Sequence, residues 1–167
     1  MRGSLNDILP EPISEEDETV LLDHLKRKMR SAAGMSVLLL RAMEERFGPE
    51  AREVVRELAA QVTPAVRQGA AGPEEDLRAF CEQLDRRCAG SHLWERVIDE
   101  PGRIGYRYSR CMWAEVFREL GEPELGLIMC AGDEPAVKAF NPALAFHRTK
   151  TLMNGCDHCD HVFYVTQ

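Results

Sequence analysis

Residues 147–165, HRTKTLMNGCDHCDHVFYV, decide the fold and carry most of the chain's chemistry. Residues 147–151 and 159–165 are β-branched, aromatic or alternating, and Asn154-Gly155 between them is a turn signal. The stretch therefore predicts a hairpin. Alternation along its second strand puts Cys159, His161, Phe163 and Val165 on one face, and Asp160, Val162 and Tyr164 on the other. A turn centred near Cys156 would pair Leu152 with Cys159, Lys150 with His161 and Arg148 with Phe163. Basic side chains would then flank a thiol and an imidazole.

Upstream, residues 93–98 and 104–109 flank the turn sequence Glu100-Pro101-Gly102-Arg103, which predicts a second hairpin. A helix over residues 111–120, closed by Gly121, lies between the two. Cys111, Glu115 and Arg118 share one of its faces. Cys111 sits at its start, where free backbone N–H groups and the helix dipole favour a thiolate. Pro123 opens a short helix over residues 124–131, which delivers Cys130 and, just beyond it, Asp133. Phe140-Asn141-Pro142 reads as a turn into the last hairpin.

The first half is helical. Ser14 is an N-cap followed by Glu15, Glu16 and Asp17, and Leu21, Leu22, Leu25 and Met29 follow at helical spacing. The pattern resumes at Met35, Leu38, Leu39, Ala42 and Met43, with Gly34 marking a break or kink, and stops at Gly48-Pro49. A helix over residues 49–62 would bury Val54, Val55 and Leu58, and residues 68–72 read as a flexible linker. Pro73 opens a further helix with Leu77, Phe80, Cys81, Leu84 and Cys88 inward. Cys81 and Cys88 would stand about 10 Å apart along it, too far to share a metal, so both read as core. Helices and strands are thus segregated along the chain, which predicts an α+β fold. N-terminal helices pack on a small antiparallel sheet of two hairpins, with short helices between them. Residues 1–13 form an extended or disordered tail. Residues 14–167 form a single domain, helical over 14–89 and sheet-containing over 91–167.

Composition narrows the function. A chain of 167 residues, 44% hydrophobic and 29% charged, suits one domain. No apolar run is long enough to span a membrane, and the N-terminus lacks the basic-then-apolar order of a signal peptide, so a cytoplasmic location is expected. A net charge of −7 argues against a nucleic-acid partner. In a reducing compartment the six cysteines, at 81, 88, 111, 130, 156 and 159, stay free and serve as metal ligands, reactive thiols or small core residues. His24, His92 and His147 read as surface or hydrogen-bonded residues.

Residues 106–160 strongly resemble the L-2-amino-thiazoline-4-carboxylic acid hydrolase family. The resemblance is carried by Arg110-Cys111 with Ala114-Glu115, the Glu-Leu-Gly block at 124–126, and Cys130 with Asp133. Phe140-Asn141-Pro142, Arg148-Thr149, and Gly155 with Cys159-Asp160 complete it. In the family an aromatic usually follows the Cys-Asp pair, where this chain has His161, and Cys156 and His158 look like additions. A weaker similarity links the Cys-Gly-Cys order to 4-vinyl-reductase-type small-molecule-binding domains.

The resemblance implies a hydrolase that opens, or forms, a small S/N-heterocycle, acting on a cyclic amidine or isothiourea C–N bond. Such chemistry needs a nucleophile, a proton carrier and a cation for the substrate carboxylate. Cys111 or Cys159 could attack as thiolate or hold a metal, and Glu115, Asp133 or His161 could move protons. Arg148 offers a planar fork for a carboxylate, with Asn141, Thr149, Lys150 and Trp113 as further substrate contacts. The spacing of Cys156 and Cys159 is that of half a zinc site, and Cys111, Cys130, Cys159 and His161 form the preferred ligand set, soft enough for zinc or iron. The alternative function is a non-catalytic module that holds a small molecule or metal in the same pocket. The N-terminal helices would serve a homodimer.

Overall fold

Both expected hairpins form, and they pair with each other. In the computed structural model, which describes residues 1–61 and 72–166, the strands are β1 (His92–Glu100), β2 (Arg103–Cys111), β3 (Leu144–His147) and β4 (Cys159–Val165). They make one antiparallel sheet in the order β1-β2-β4-β3. The fold is α+β, as the segregation of elements predicts.

The last hairpin differs from the expectation in register. Phe146, not Arg148, stands opposite Phe163, because the first strand is residues 144–147 rather than 147–151. Thr151 instead caps a 3-10 turn, Leu152–Asn154, which ends on Gly155 in the left-handed region at φ 84°. The Asp160 carboxylate holds the intervening segment by accepting from the backbone N–H groups of Thr149 and Lys150. A displacement of two residues returns every side chain to its own face. Cys159, His161 and Phe163 accordingly look inward together, while Tyr164 is exposed.

In the first hairpin, β1 and β2 carry one extra residue each. Ser109 is extra between the Leu93–Arg110 and Trp94–Tyr108 pairs, and Val97 between Arg96–Tyr106 and Ile98–Gly105. The two irregularities compensate, so His92 ends opposite Cys111.

The helices cover the inner face of this sheet. Ser14 caps α1 (Glu15–Phe47) by accepting from the Asp17 N–H at 3.1 Å. The expected break at Gly34 does not occur. One glycine costs a helix only about 1 kcal/mol, which packing against neighbouring elements overrides. The buried stripe is Met29, Ala33, Val37 and Leu40, whereas Leu21, Met35, Leu38 and Leu39 are exposed. On α2 (Glu50–Gln61), Val54 and Leu58 are likewise exposed instead of buried. The expected linker over residues 68–72 lies, apart from Gly72, outside the described residues. α3 (Pro73–Cys88) packs on β2 and β4 and buries Leu77, Phe80, Cys81 and Cys88.

α4 (Met112–Glu119) and α5 (Pro123–Cys130) follow the expected boundaries closely. A further helix, α6 (Asp133–Phe140), fills an interval to which the sequence patterns assign no element, and it ends where the turn at Phe140-Asn141-Pro142 is expected. Asp133 and Glu134 occupy its first turn, where they complement the dipole. The N-terminal residues are extended at Arg2, which bridges to Trp94, and then form a 3-10 turn at Leu5–Asp7. Glu18 of α1 grips this segment, accepting from Ser4 Oγ and Leu5 N at 2.7 Å each.

Candidate active site

The inner face of β2 and β4, the end of α3 and the starts of β1 and α4 enclose a cavity of about 420 Å³ with α5 and α6. Its chemistry comes from three groups of side chains.

Four thiols line it: Cys88 from the end of α3, Cys111 from the end of β2, Cys130 from the end of α5 and Cys159 from the start of β4. Burial pushes Cys88 and Cys130 up to about 12 and Cys111 up to about 11. The backbone amides of Ala114 and Trp113 at the start of α4 favour a Cys111 thiolate, yet desolvation outweighs them. The thiolate expected there is therefore a neutral thiol at physiological pH. Burial raises Cys159 as well, against the Leu152 N–H, which donates to its Sγ at 3.1 Å, and against Thr151 and Arg148.

Two imidazoles join them. His161 lies between Tyr108, 4.8 Å away centroid to centroid, and Phe146, edge-on at 5.1 Å. Burial lowers its pKa to about 3, and the nearby charge of Arg148 adds to the effect. Its Nε2 is buried with no hydrogen-bond partner. His92 also packs against Tyr108, at 5.7 Å, and its pKa is lowered to about 4 chiefly by burial.

The third group is an ion pair. Arg148 Nη1 lies 2.6 Å from Asp133 Oδ2, and Nη2 donates to the Cys130 carbonyl at 3.3 Å. Its guanidinium carbon sits 5.5 Å from the centre of the Phe146 ring. Burial raises the Asp133 carboxyl above its ordinary range, and Arg148 pulls it partly back.

The structure thus brings Cys111, Cys130, Asp133, Arg148, Cys159 and His161 to one cavity, with Trp113 in its wall stacked on Phe117. Glu115 is elsewhere: its carboxylate is held by Arg110 at 2.6 Å and Lys26 at 3.2 Å, on the side of α4 that faces α1. Asn141 donates to Asp76 Oδ2 at 2.7 Å and caps the backbone at Ala143. Thr149 binds Asp160, and Lys150 is exposed. None of these four lines the cavity. Cys156 and His158 also stay outside, in the turn before β4.

Among the described residues, no three His, Cys, Asp or Glu side chains gather closely enough to hold a metal ion. Cys111, Cys130, Cys159 and His161 share walls without converging on a point. The donor arrangement does not fit zinc or iron as it stands.

Sequence reasoning missed Cys88, Ser91, His92 and Tyr108 as cavity residues. A signal existed for His92: counting outward from the Glu100–Arg103 turn pairs it with Cys111. Tyr108 carried a signal too, since simple alternation along β2 puts it on the face of Tyr106, and both are buried.

The sequence model for L-2-amino-thiazoline-4-carboxylic acid hydrolase matches residues 27–163. The chain belongs to this family. The match reaches back from the cavity-bearing half into α1, so the helical layer is part of the family's domain rather than an addition to it. No curated protein matches the chain. Membership of a hydrolase family agrees with a cavity that combines a half-buried cation, a carboxylate, thiols and neutral imidazoles. Among the described residues no helix is long and apolar enough to cross a membrane.

Proposed function

We propose that this family member hydrolyses a C–N bond of a small cyclic amidine or isothiourea that carries a carboxylate. The observation that supports it best is the buried, unpartnered Nε2 of His161 beside Arg148, within a cavity of small-molecule size. A buried polar atom without a partner is costly unless a ligand supplies one. Arg148 takes the substrate carboxylate, and His161 bonds the polar edge of the ring. Asp133 steadies the guanidinium and the thiols of Cys111 and Cys159 line the reacting end.

The resting charge states favour water as the nucleophile. A thiolate–imidazolium pair needs a lowered thiol and a raised imidazole, and here burial moves both the opposite way. Neutral imidazole is instead a fitting proton acceptor for water adding to the C=N carbon.

The test is turnover of L-2-amino-thiazoline-4-carboxylic acid and related cyclic isothioureas, with the new amine quantified. Replacing Arg148→Gln is expected to raise KM by about 10- to 100-fold, the cost of losing charged hydrogen bonds. Binding without turnover across the panel would favour the non-catalytic module over the hydrolase. The exposed Met35, Leu38 and Leu39 on α1 support a homodimer through the N-terminal helices, and a monomer in sedimentation equilibrium would remove that part of the proposal.

A further inference from the structure

His92 is held in the way a general base is held. It opens β1, lines the cavity, and its Nδ1 lies 2.8 Å from Ser91 Oγ. Ser91 Oγ donates to the Cys88 carbonyl at 3.1 Å, and a hydroxyl has one proton to give. With that proton engaged, Ser91 Oγ accepts from His92, which assigns the ring hydrogen to Nδ1 and leaves a lone pair on Nε2. Ser91 is itself fixed. It is buried, its N–H donates to Cys88 O at 3.1 Å, and its carbonyl accepts from Met112 N at 2.8 Å.

The cavity's other imidazole is less suited to taking up a proton. His161 stands close enough to Arg148 for that charge to oppose a second cation. The cation acting on His92 is Arg110, which Glu115 already pairs at 2.6 Å.

We propose that His92, positioned by Ser91, is the general base that activates water in this cavity. The proposal rests on the hydrolase reading above and names its proton carrier. As the water oxygen bonds to the C=N carbon, Nε2 takes one water proton and the π pair moves onto nitrogen, which then receives that proton. As the C=O forms and the C–N bond breaks, the second proton follows the same route. The nitrogen leaves as an amine and the imidazole is neutral again.

His92→Asn keeps a side-chain N–H near the Nδ1 position while removing Nε2. It is expected to lower kcat by about 100-fold or more, the usual worth of a general base, with KM nearly unchanged. Ser91→Ala is expected to lower kcat less and to convert a pure Nδ1–H tautomer into a mixture, read from imidazole ¹⁵N shifts by NMR. Wild-type protein whose His92 is the Nε2–H tautomer overturns the proposal without any variant having to fold. Wild-type turnover that His92→Asn leaves within about twofold overturns it too, and leaves the hydrolase reading intact. A wild-type chain that turns over no cyclic isothiourea overturns both.

Discussion

At the scale of single residues, burial governs the site more than proximity does. The thiols and imidazoles sit together, yet each is driven to its neutral form because the cavity solvates charge poorly. This has a consequence for stability. Both folded-state imidazole values lie below 6.5, so from that pH down to about 4 the unfolded chain binds protons that the folded chain excludes. Stability therefore rises with pH through this window and is lost as pH falls. Urea midpoints measured between pH 4 and 7 are expected to show it, and combining His92→Gln with His161→Gln is expected to flatten the slope. An equal slope in the double variant would mean that other groups carry the dependence. Residue identity alone made Cys111, Cys130, Asp133, Arg148, Cys159 and His161 legible as a set, because they cluster around turns and helix ends. It could not separate them from Glu115, Asn141 and Thr149, which lie in the same family-like run but serve an ion pair, a cap and a turn.

At the scale of elements, local signals placed nearly every boundary, and contacts between distant segments account for the rest. Ser14, Pro73, Gly102 and Gly155 mark starts and turns whose geometry is local. The choice of stripe on α1 is not local: two apolar stripes are present, and the one that packs on α4 is buried. α6 escaped notice because Asp133 reads equally as a reactive carboxylate and as a first-turn acid. Close approach between α5 and the 3-10 turn is a further non-local demand. A Cβ on Gly126 would come 2.3 Å from Sδ of Met153, which lines the cavity. Gly126→Ala is therefore expected to destabilise by about 1–3 kcal/mol and to push Met153 into the ligand's space, raising KM. Trimming the neighbour with Met153→Ala in the same chain should recover much of the stability loss. Additive costs in that double-mutant cycle would show that the two side chains do not meet.

At the scale of the whole molecule, segments from both ends of the chain pair with the strands that wall the cavity. The first residues run beside β1, where Arg2 and Trp94 exchange backbone hydrogen bonds at 2.7 and 2.9 Å. A Cβ on Gly3 would strike the His92 carbonyl oxygen at 2.1 Å, so that glycine, at φ 127°, lets the N-terminus pass directly over the strand bearing the imidazole. Charged bridges join the helical layer to the site-bearing half, among them Arg52 with Glu122, and Lys26 with Glu115 and Glu119. The family match over residues 27–163 spans both halves, taking in α1 and α2, which contribute no described residue to the cavity wall. The chain has two tryptophans, and they divide cleanly: Trp94 is sealed in the core, while Trp113 forms part of the cavity wall. Occupancy of the cavity thus has an intrinsic optical reporter, since a ligand entering it changes the surroundings of one indole and leaves the other as an internal reference.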